Sequence, residues 1–238
     1  MARRRHDARE TVVTKMDWTP YGPHAALVRF ADKAGNEAFA QAVAIRAALE
    51  RNPPEGLLEF VPAYTTVLLE FSAREVPNLT DAMPDILEQL QMAATLTLPP
   101  APVKEIPVIY DGPDLERVAR AHDLTTAEVC RLHAEPIYKV HLLGFAPGFP
   151  YLNGLDARLH TPRLATPRTR VPAGSVAIGG GHTGIYTVDT PGGWNIIGHT
   201  PVKIFDPTRR SPDGGEEAMF LLKQGDRVKF VKSNGGNQ

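Results

Sequence analysis

The sequence predicts an α+β protein in two parts. Residues 1–98 read as an N-terminal ferredoxin-like domain with the split βαβ order, and residues 103–238 as a compact, mostly β domain. Three observations carry this reading. Signals up to Ala94 run in the order strand, helix, strand, strand, helix. Leu98 to Pro102, LPPAP, puts three prolines in five residues, which favours an extended connection and denies both helix and central strand. The 67 residues from His141 to Pro207 hold eleven of the 20 glycines and eight of the 22 prolines, a density that no long helix tolerates.

In the first part, Thr11 to Met16 carries Val12 and Val13 and reads as a short strand, with a turn at Pro20, Gly22 and Pro23. Ala25 to Phe30 reads as a half-buried strand. A helix capped by Asn36 follows, with Phe39, Ala42, Val43, Arg46 and Leu49 at helical spacing and Pro53 and Pro54 beyond it. Leu57 to Val61 and Thr65 to Phe71 are two strands joined at Pro62 to Tyr64. A second helix starts near Thr80, whose hydroxyl can cap it, and places Met83, Ile86, Leu87, Leu90 and Ala94 on one face. The order leaves open which half supplies the closing strand of the sheet.

In the second part, Lys104 to Tyr110 reads as a strand, and Pro107, which has no N–H for a ladder, suggests an edge position. Pro113 to Asp123 is a short helix, and Thr125 with Glu128 has the spacing of a capping box for the next. Cys130, beside Val129 and Leu132, reads as a small buried hydrophobe rather than a nucleophile. Short β-branched and aromatic runs then alternate with turns: Ser175 to Ile178, Gly184 to Val188, Trp194 to Ile197 and Val202 to Phe205. Strands punctuated this way argue for a closed or nearly closed β structure. Ala218 to Leu222 and Arg227 to Val231 read as two last strands around Gly225, able to complete a barrel begun at Lys104.

Composition narrows the function. The chain of 238 residues is 42% hydrophobic and 22% charged with a formal net charge of -1, which gives no reason to expect nucleic-acid binding or electrostatic docking on a membrane. One cysteine excludes an intrachain disulfide framework, and no apolar run reaches the roughly 20 residues of a membrane span. A cytoplasmic location is expected. Gly179, Gly180 and Gly181 precede His182 and Thr183 with no Lys, so they read as a hairpin turn rather than a phosphate-binding loop. The eight histidines show no paired metal-ligand spacing. Ser175, His199 and Asp189 supply the residue types of a hydrolytic triad, but Ser175 lies in PAGSV and not in a nucleophile elbow.

Three ordered blocks, GFAPGFPYLNGL, PRLATPRTRVPAGSVAIGGGHTGIY and TPGGWNIIGHTPVKIFDP, resemble one family. It includes the B subunit of prokaryotic ATP-dependent 5-oxoprolinase, a sporulation antikinase that inhibits a sensor histidine kinase, and proteins labelled allophanate hydrolase subunit 1. The resemblance implies that the second part is a cyclophilin-like β-barrel. It also implies a subunit of an ATP-dependent amidohydrolase complex that opens 5-oxoproline to glutamate. A homologous C-type subunit and an A-type subunit would be the partners, with ATP used by the complex and no stand-alone nucleotide motif in this chain. Other members imply two rival readings: allophanate hydrolysis or a urea-carboxylase-like carboxyltransferase, and inhibition of a histidine kinase.

The candidate site residues follow from chemistry. Arg163, Arg168 and Arg170 lie in TPRLATPRTR, and the planar guanidinium fork suits an anionic substrate. Phe145, Phe149, Tyr151 and Trp194 can wall an apolar pocket. Tyr186 or His199 can donate a hydrogen bond to a developing oxyanion. His182 stands where the resembled family more often has Gln, and Thr187 where it has Pro.

Overall fold

Alternation along Ala25–Arg29 and Thr66–Phe71 buries every second residue, and these two strands form the centre of the first sheet. The computed structural model describes residues 16–212 and 214–234, and its chain divides into two compact units, Met1–Leu98 and Pro99–Gln238. In the first unit, β1 (Asp17–Pro20), β2 (Ala25–Arg29), α1 (Asn36–Arg51), β3 (Leu57–Pro62), β4 (Thr66–Phe71) and α2 (Leu79–Ala94) follow one another. The all-antiparallel sheet has the order β1-β2-β4-β3. Its outer strand next to β2 is β1, supplied from upstream. The expected strand from residue 11 lies mostly outside the described residues, and pairing continues to Pro20, which the sequence placed in a turn.

Both helices pack an apolar stripe on this sheet: Ala38, Ala42, Ile45 and Leu49 from α1, and Met83, Ile86 and Leu90 from α2, against Val28, Phe30, Val67 and Leu69. Two caps differ from expectation. Gly35 holds the N-cap position of α1 and Asn36 is its first helical residue. At α2 the cap is Asn78, whose side chain accepts from the Thr80 N–H, so Thr80 is the capped residue and not the cap.

The second unit contains β5 (Val103–Val108), α3 (Leu115–Ala121), α4 (Thr126–Ala134), β6 (Ile137–Leu143), β7 (Pro150–Asn153), β8 (Arg168–Val171), β9 (Ser175–Gly179), β10 (His182–Ile185), β11 (Thr190–Gly192), β12 (Asn195–His199) and β13 (Arg227–Lys232). Seven strands form one sheet in the order β12-β9-β10-β7-β6-β13-β5, and β8 pairs β11 in a separate ribbon. As Pro107 suggested, β5 is an edge strand. The sheet curls until its edges meet, because Ile109, just past β5, exchanges both backbone hydrogen bonds with His199 at 2.9 Å. Glycine is required at this seam: a Cβ on Gly198 would collide with the Ile109 carbonyl.

The interior is aliphatic, with Ile106, Val118, Val140, Leu152, Val176, Ile178, Ile185, Ile197 and Val228 buried together, and Cys130 among them as a small hydrophobe. Its α4 begins with the expected capping box: Glu128 N–H donates to the Thr125 hydroxyl and Thr125 N–H to the Glu128 carboxylate at 2.8 Å. Gly180 and Gly181 form the two-residue turn between β9 and β10, with Gly180 at φ 62, so the glycine run is a hairpin. Two of the last three strand expectations need correction. Val202 to Phe205 is irregular apart from one bridge, Phe205 to Phe220; Glu216–Met219 is a 3-10 turn; and only the last run, as β13, is a strand. It inserts between β6 and β5, antiparallel to one and parallel to the other, so the end of the chain closes the sheet beside its beginning.

Candidate functional site

Most of the expected binding residues gather on the face of the seven-stranded sheet that turns away from the interior. Val140, Leu152 and Thr183 stand in register on β6, β7 and β10 and are fully buried inside, so their neighbours Tyr151 and His182 point outward. There Phe149, Tyr186 and Trp194 pack with Val171, Ala177 and Ile196 as a second, smaller core, with Tyr151 against it. The rings meet edge to face, Phe149 lying 5.1 Å from Tyr151, 5.3 Å from Tyr186 and 5.4 Å from Trp194 between centroids. Close approach depends on two glycines: a Cβ on Gly179 would strike the Trp194 indole, and one on Gly192 the Tyr186 hydroxyl.

Phe145 stands at the mouth of this cluster. It is 63% exposed, its ring centroid is 5.5 Å from Phe149, and its backbone is left-handed at φ 71. A bulky side chain in that region costs of order 1–3 kcal/mol, and such strain collects at ligand-binding positions.

The three arginines have different employments. Arg168 donates to both carboxylate oxygens of buried Asp114 at 2.8 Å, and Asp114 also accepts from the Ile196 N–H at 2.7 Å. Arg168 is thereby a brace between the β8 ribbon and β12. Arg170 is spent on Asp189 at 2.6 Å; the Ala173 N–H, first, and the guanidinium, second, hold the Asp189 carboxyl below its ordinary range. Arg163 alone of the three stacks on a ring, 5.7 Å from the Trp194 centroid.

Burial raises the Tyr186 hydroxyl above its usual pKa, against a backbone hydrogen bond from Trp194 and the charges of Arg163 and Arg168, so it stays a neutral donor. Beside it opens a pocket of about 430 Å³, lined by Tyr186, Thr187, Asp189, Thr200, Lys203 and Asp206 among others, a volume suited to a small molecule. His199 is not in that lining. It sits at the far end of β12 from Trp194, with Nδ1 2.8 Å from Asp111 Oδ1. Nor do the three residue types of a triad converge, since Asp189 binds Arg170 and His199 binds Asp111. Among the described residues, no three His, Cys, Asp or Glu side chains form a metal-holding group, and no helix is long and apolar enough to cross a membrane.

Sequence reasoning missed the residues that position the site. Asp114 read only as the start of a helix; its partner is 54 residues away. Asn195 is fully buried, donates to the Pro162 carbonyl at 3.0 Å and the Ile178 carbonyl at 3.1 Å, and accepts from Arg117. It pins the segment carrying Arg163 to the sheet. A lone amide at the head of the apolar run NIIG was the available signal, because a buried amide must find partners.

Comparison with known proteins agrees with this architecture. The model of the carboxyltransferase domain, subdomains C and D, matches residues 16–213. The B subunit of 5-oxoprolinase from Bacillus subtilis (strain 168) is 37% identical over 223 residues, 89% of this chain and 90% of its own length. Its counterpart from Haemophilus influenzae is 52% identical over 130 residues, 53% of this chain and 58% of its own. A putative urea carboxylase of Emericella nidulans is 27% identical over 183 residues, and the match spans 14% of that protein. Among solved structures, TTHA0988 superposes with a TM-score of 0.76 at 41% identity, over 89% of this chain and 40% of that one, so this chain spans less than half of it. The chain therefore belongs to the carboxyltransferase subdomain C and D family and is a relative of the B subunit of 5-oxoprolinase.

Proposed function

We propose that this chain is the B-type subunit of an ATP-dependent amidohydrolase of the 5-oxoprolinase type, working in the cytoplasm with a homologous C-type and an A-type subunit. The observation that carries the reading is 37% identity to a 5-oxoprolinase B subunit across 90% of that protein. Lactam hydrolysis needs activation, because amide resonance makes the carbonyl a poor electrophile. Phosphoryl transfer from ATP to the lactam oxygen leaves ADP; one water attacks the activated carbon and the ring C–N bond breaks, the nitrogen leaving as the amine, and a second water hydrolyses the resulting acyl phosphate to glutamate and phosphate. The ATP is used by the complex.

In this reading the ligand lies between the aromatic cluster and the adjoining pocket. Phe145, Phe149, Tyr151 and Trp194 wall its apolar part, Arg163 holds an anionic group, and Tyr186 donates a hydrogen bond. Arg168 and Arg170 act as positioning residues through Asp114 and Asp189. His182 borders the site, and His199 serves the seam. The matching fold reading is a ferredoxin-like domain over 1–98, its edge strand moved to the front, and a cyclophilin-like barrel over 103–238. Reconstitution with the two partner subunits tests the function: ATP hydrolysis should depend on added 5-oxoproline and yield glutamate. Equal ATP hydrolysis with and without 5-oxoproline would refute it.

The urea carboxylase similarity favours one second reading, a carboxyltransferase module. It predicts activity of the same complex on a carboxylated or urea-derived substrate and none on 5-oxoproline.

A further inference from the structure

One wall of the pocket beside Tyr186 is the segment TPVKIFDP, Thr200 to Pro207, which has the composition of a strand but no ladder of its own. Ile204 anchors it in the interior core. Two backbone bonds of 2.9 Å tie it to the chain ahead of β13: the Leu221 N–H donates to the Ile204 carbonyl, and the Asp206 N–H to the Met219 carbonyl. Held at those points, the segment brings two charged side chains of the lining together, with Lys203 Nζ 3.6 Å from Asp206 Oδ2.

Most other polar side chains of this lining are spent inside the protein. Thr187 donates to the Pro147 carbonyl at 2.6 Å, the Thr200 hydroxyl accepts from the Val202 N–H at 3.2 Å, and the Asp189 carboxylate takes the Ala173 N–H and Arg170. Asp206 is divided. Its Oδ1 accepts from the Thr208 N–H at 3.0 Å and the Thr208 hydroxyl at 2.6 Å. Its Oδ2 accepts no hydrogen bond among the described residues, and only Lys203 and, at 3.8 Å, Arg209 Nε stand near it. The hydrogen bonds from Thr208, then the charges of Lys203 and Arg209, hold this carboxyl below its ordinary range. The open oxygen is therefore anionic. Lys203 is 71% exposed and donates no hydrogen bond among the described residues. An open carboxylate oxygen asks for an N–H donor, and the ammonium beside it for an anion.

We propose that Asp206 and Lys203 are the specificity-determining pair for an α-carboxy lactam: Asp206 Oδ2 accepts the ring N–H, and Lys203 Nζ holds the carboxylate on the neighbouring carbon. This rests on the 5-oxoprolinase reading and assigns the substrate's two polar ends within it. Arg163, over the Trp194 ring, is then left for the phosphoryl group. When the lactam oxygen takes up that group, positive charge spreads onto the ring nitrogen, and its N–H bond to Asp206 strengthens. Asp206 thus acts mainly on kcat, and Lys203 on KM.

The test uses the complex reconstituted with both partner subunits. ATP hydrolysis is driven by 5-oxoproline or by pyrrolidin-2-one, the same lactam without its carboxylate. Lys203→Gln should raise KM for 5-oxoproline about tenfold and erase most of the preference over pyrrolidin-2-one, the loss of one charge-assisted contact. Lys203→Arg should restore most of both. Asp206→Asn should lower kcat about tenfold or more with either lactam. Lys203 is exposed, so an unchanged melting midpoint for Lys203→Gln separates recognition from folding. An active complex in which Lys203→Gln keeps the wild-type KM and the full preference overturns the pairing and leaves the functional reading intact. A wild-type complex that ignores 5-oxoproline overturns both.

Discussion

The two cores of the second unit solve opposite problems with similar materials. The interior core buries His133 completely, between the Tyr110 hydroxyl on Nδ1 and the Thr183 hydroxyl on Nε2, each at 2.8 Å, and stacks its ring 4.6 Å from Phe230. Burial alone pushes that imidazole down to about 3, so it stays neutral and acts as a hydrogen-bonding spacer. On the outer face His182 is half-buried, feels the charges of His160 and Arg163, and is adjacent to aromatic rings that pack on glycine-thinned strands. The inner core answers both ring nitrogens of His133 and keeps the ring from solvent. The outer one keeps a strained, exposed Phe145 and a stacked Arg163 at its rim. The contrast teaches that the interior serves stability, while the face outside carries recognition.

The largest expected effect breaks the brace that joins the outer layer to the sheet. Asp114→Ala removes the partner of Arg168 and of the Ile196 N–H from a buried position. Loss of one member of a buried pair costs about 3–5 kcal/mol, and denaturant unfolding of the second unit should show it. Next comes Gly179→Ala, which forces a methyl against the Trp194 indole and should cost about 1–3 kcal/mol, accompanied by a change in Trp fluorescence as the ring is displaced.

A comparable loss is expected inside. Thr183→Val strips His133 Nε2 of its partner, for about 1–3 kcal/mol. The acid response of the interior has a definite sign. In the unfolded chain His133 takes up a proton near its ordinary value of 6.5, whereas the folded chain refuses it down to about 3. The stability it contributes is complete above pH 6.5 and falls by about 1.4 kcal/mol per pH unit within that window. His133→Phe should flatten this part of the profile in melts taken from pH 7 to pH 4. A slope that survives the substitution would assign acid sensitivity elsewhere, the outer His141 being the next group to examine.

Legibility in the sequence followed the range of the interaction. The Thr125 and Glu128 box, the Gly180–Gly181 hairpin and the edge position of Pro107 depend on neighbours a few residues away, and each was readable. The Phe149, Tyr151, Tyr186 and Trp194 cluster was foreseeable as residue types in three blocks, though not as one packed layer on the outer face. What stayed hidden spans the chain: Arg168 finding Asp114, Asn195 holding Pro162, and β13 entering between β5 and β6. Propensity also misled where tertiary pairing decides. The apolar run at Val202 to Phe205 has the composition of a strand and makes one bridge, while the three-residue β11 has little strand character and still pairs with β8 at both ends, across a register shift.

Arg163 gives the smallest expected stability effect and the most informative one. Its side chain is exposed, so Arg163→Gln should shift unfolding by no more than about 0.5 kcal/mol. In the complex reconstituted with both partner subunits, the same substitution should lower 5-oxoproline-dependent ATP hydrolysis about tenfold or more. Full activity with the variant at unchanged stability would contradict the assignment of recognition to the outer face.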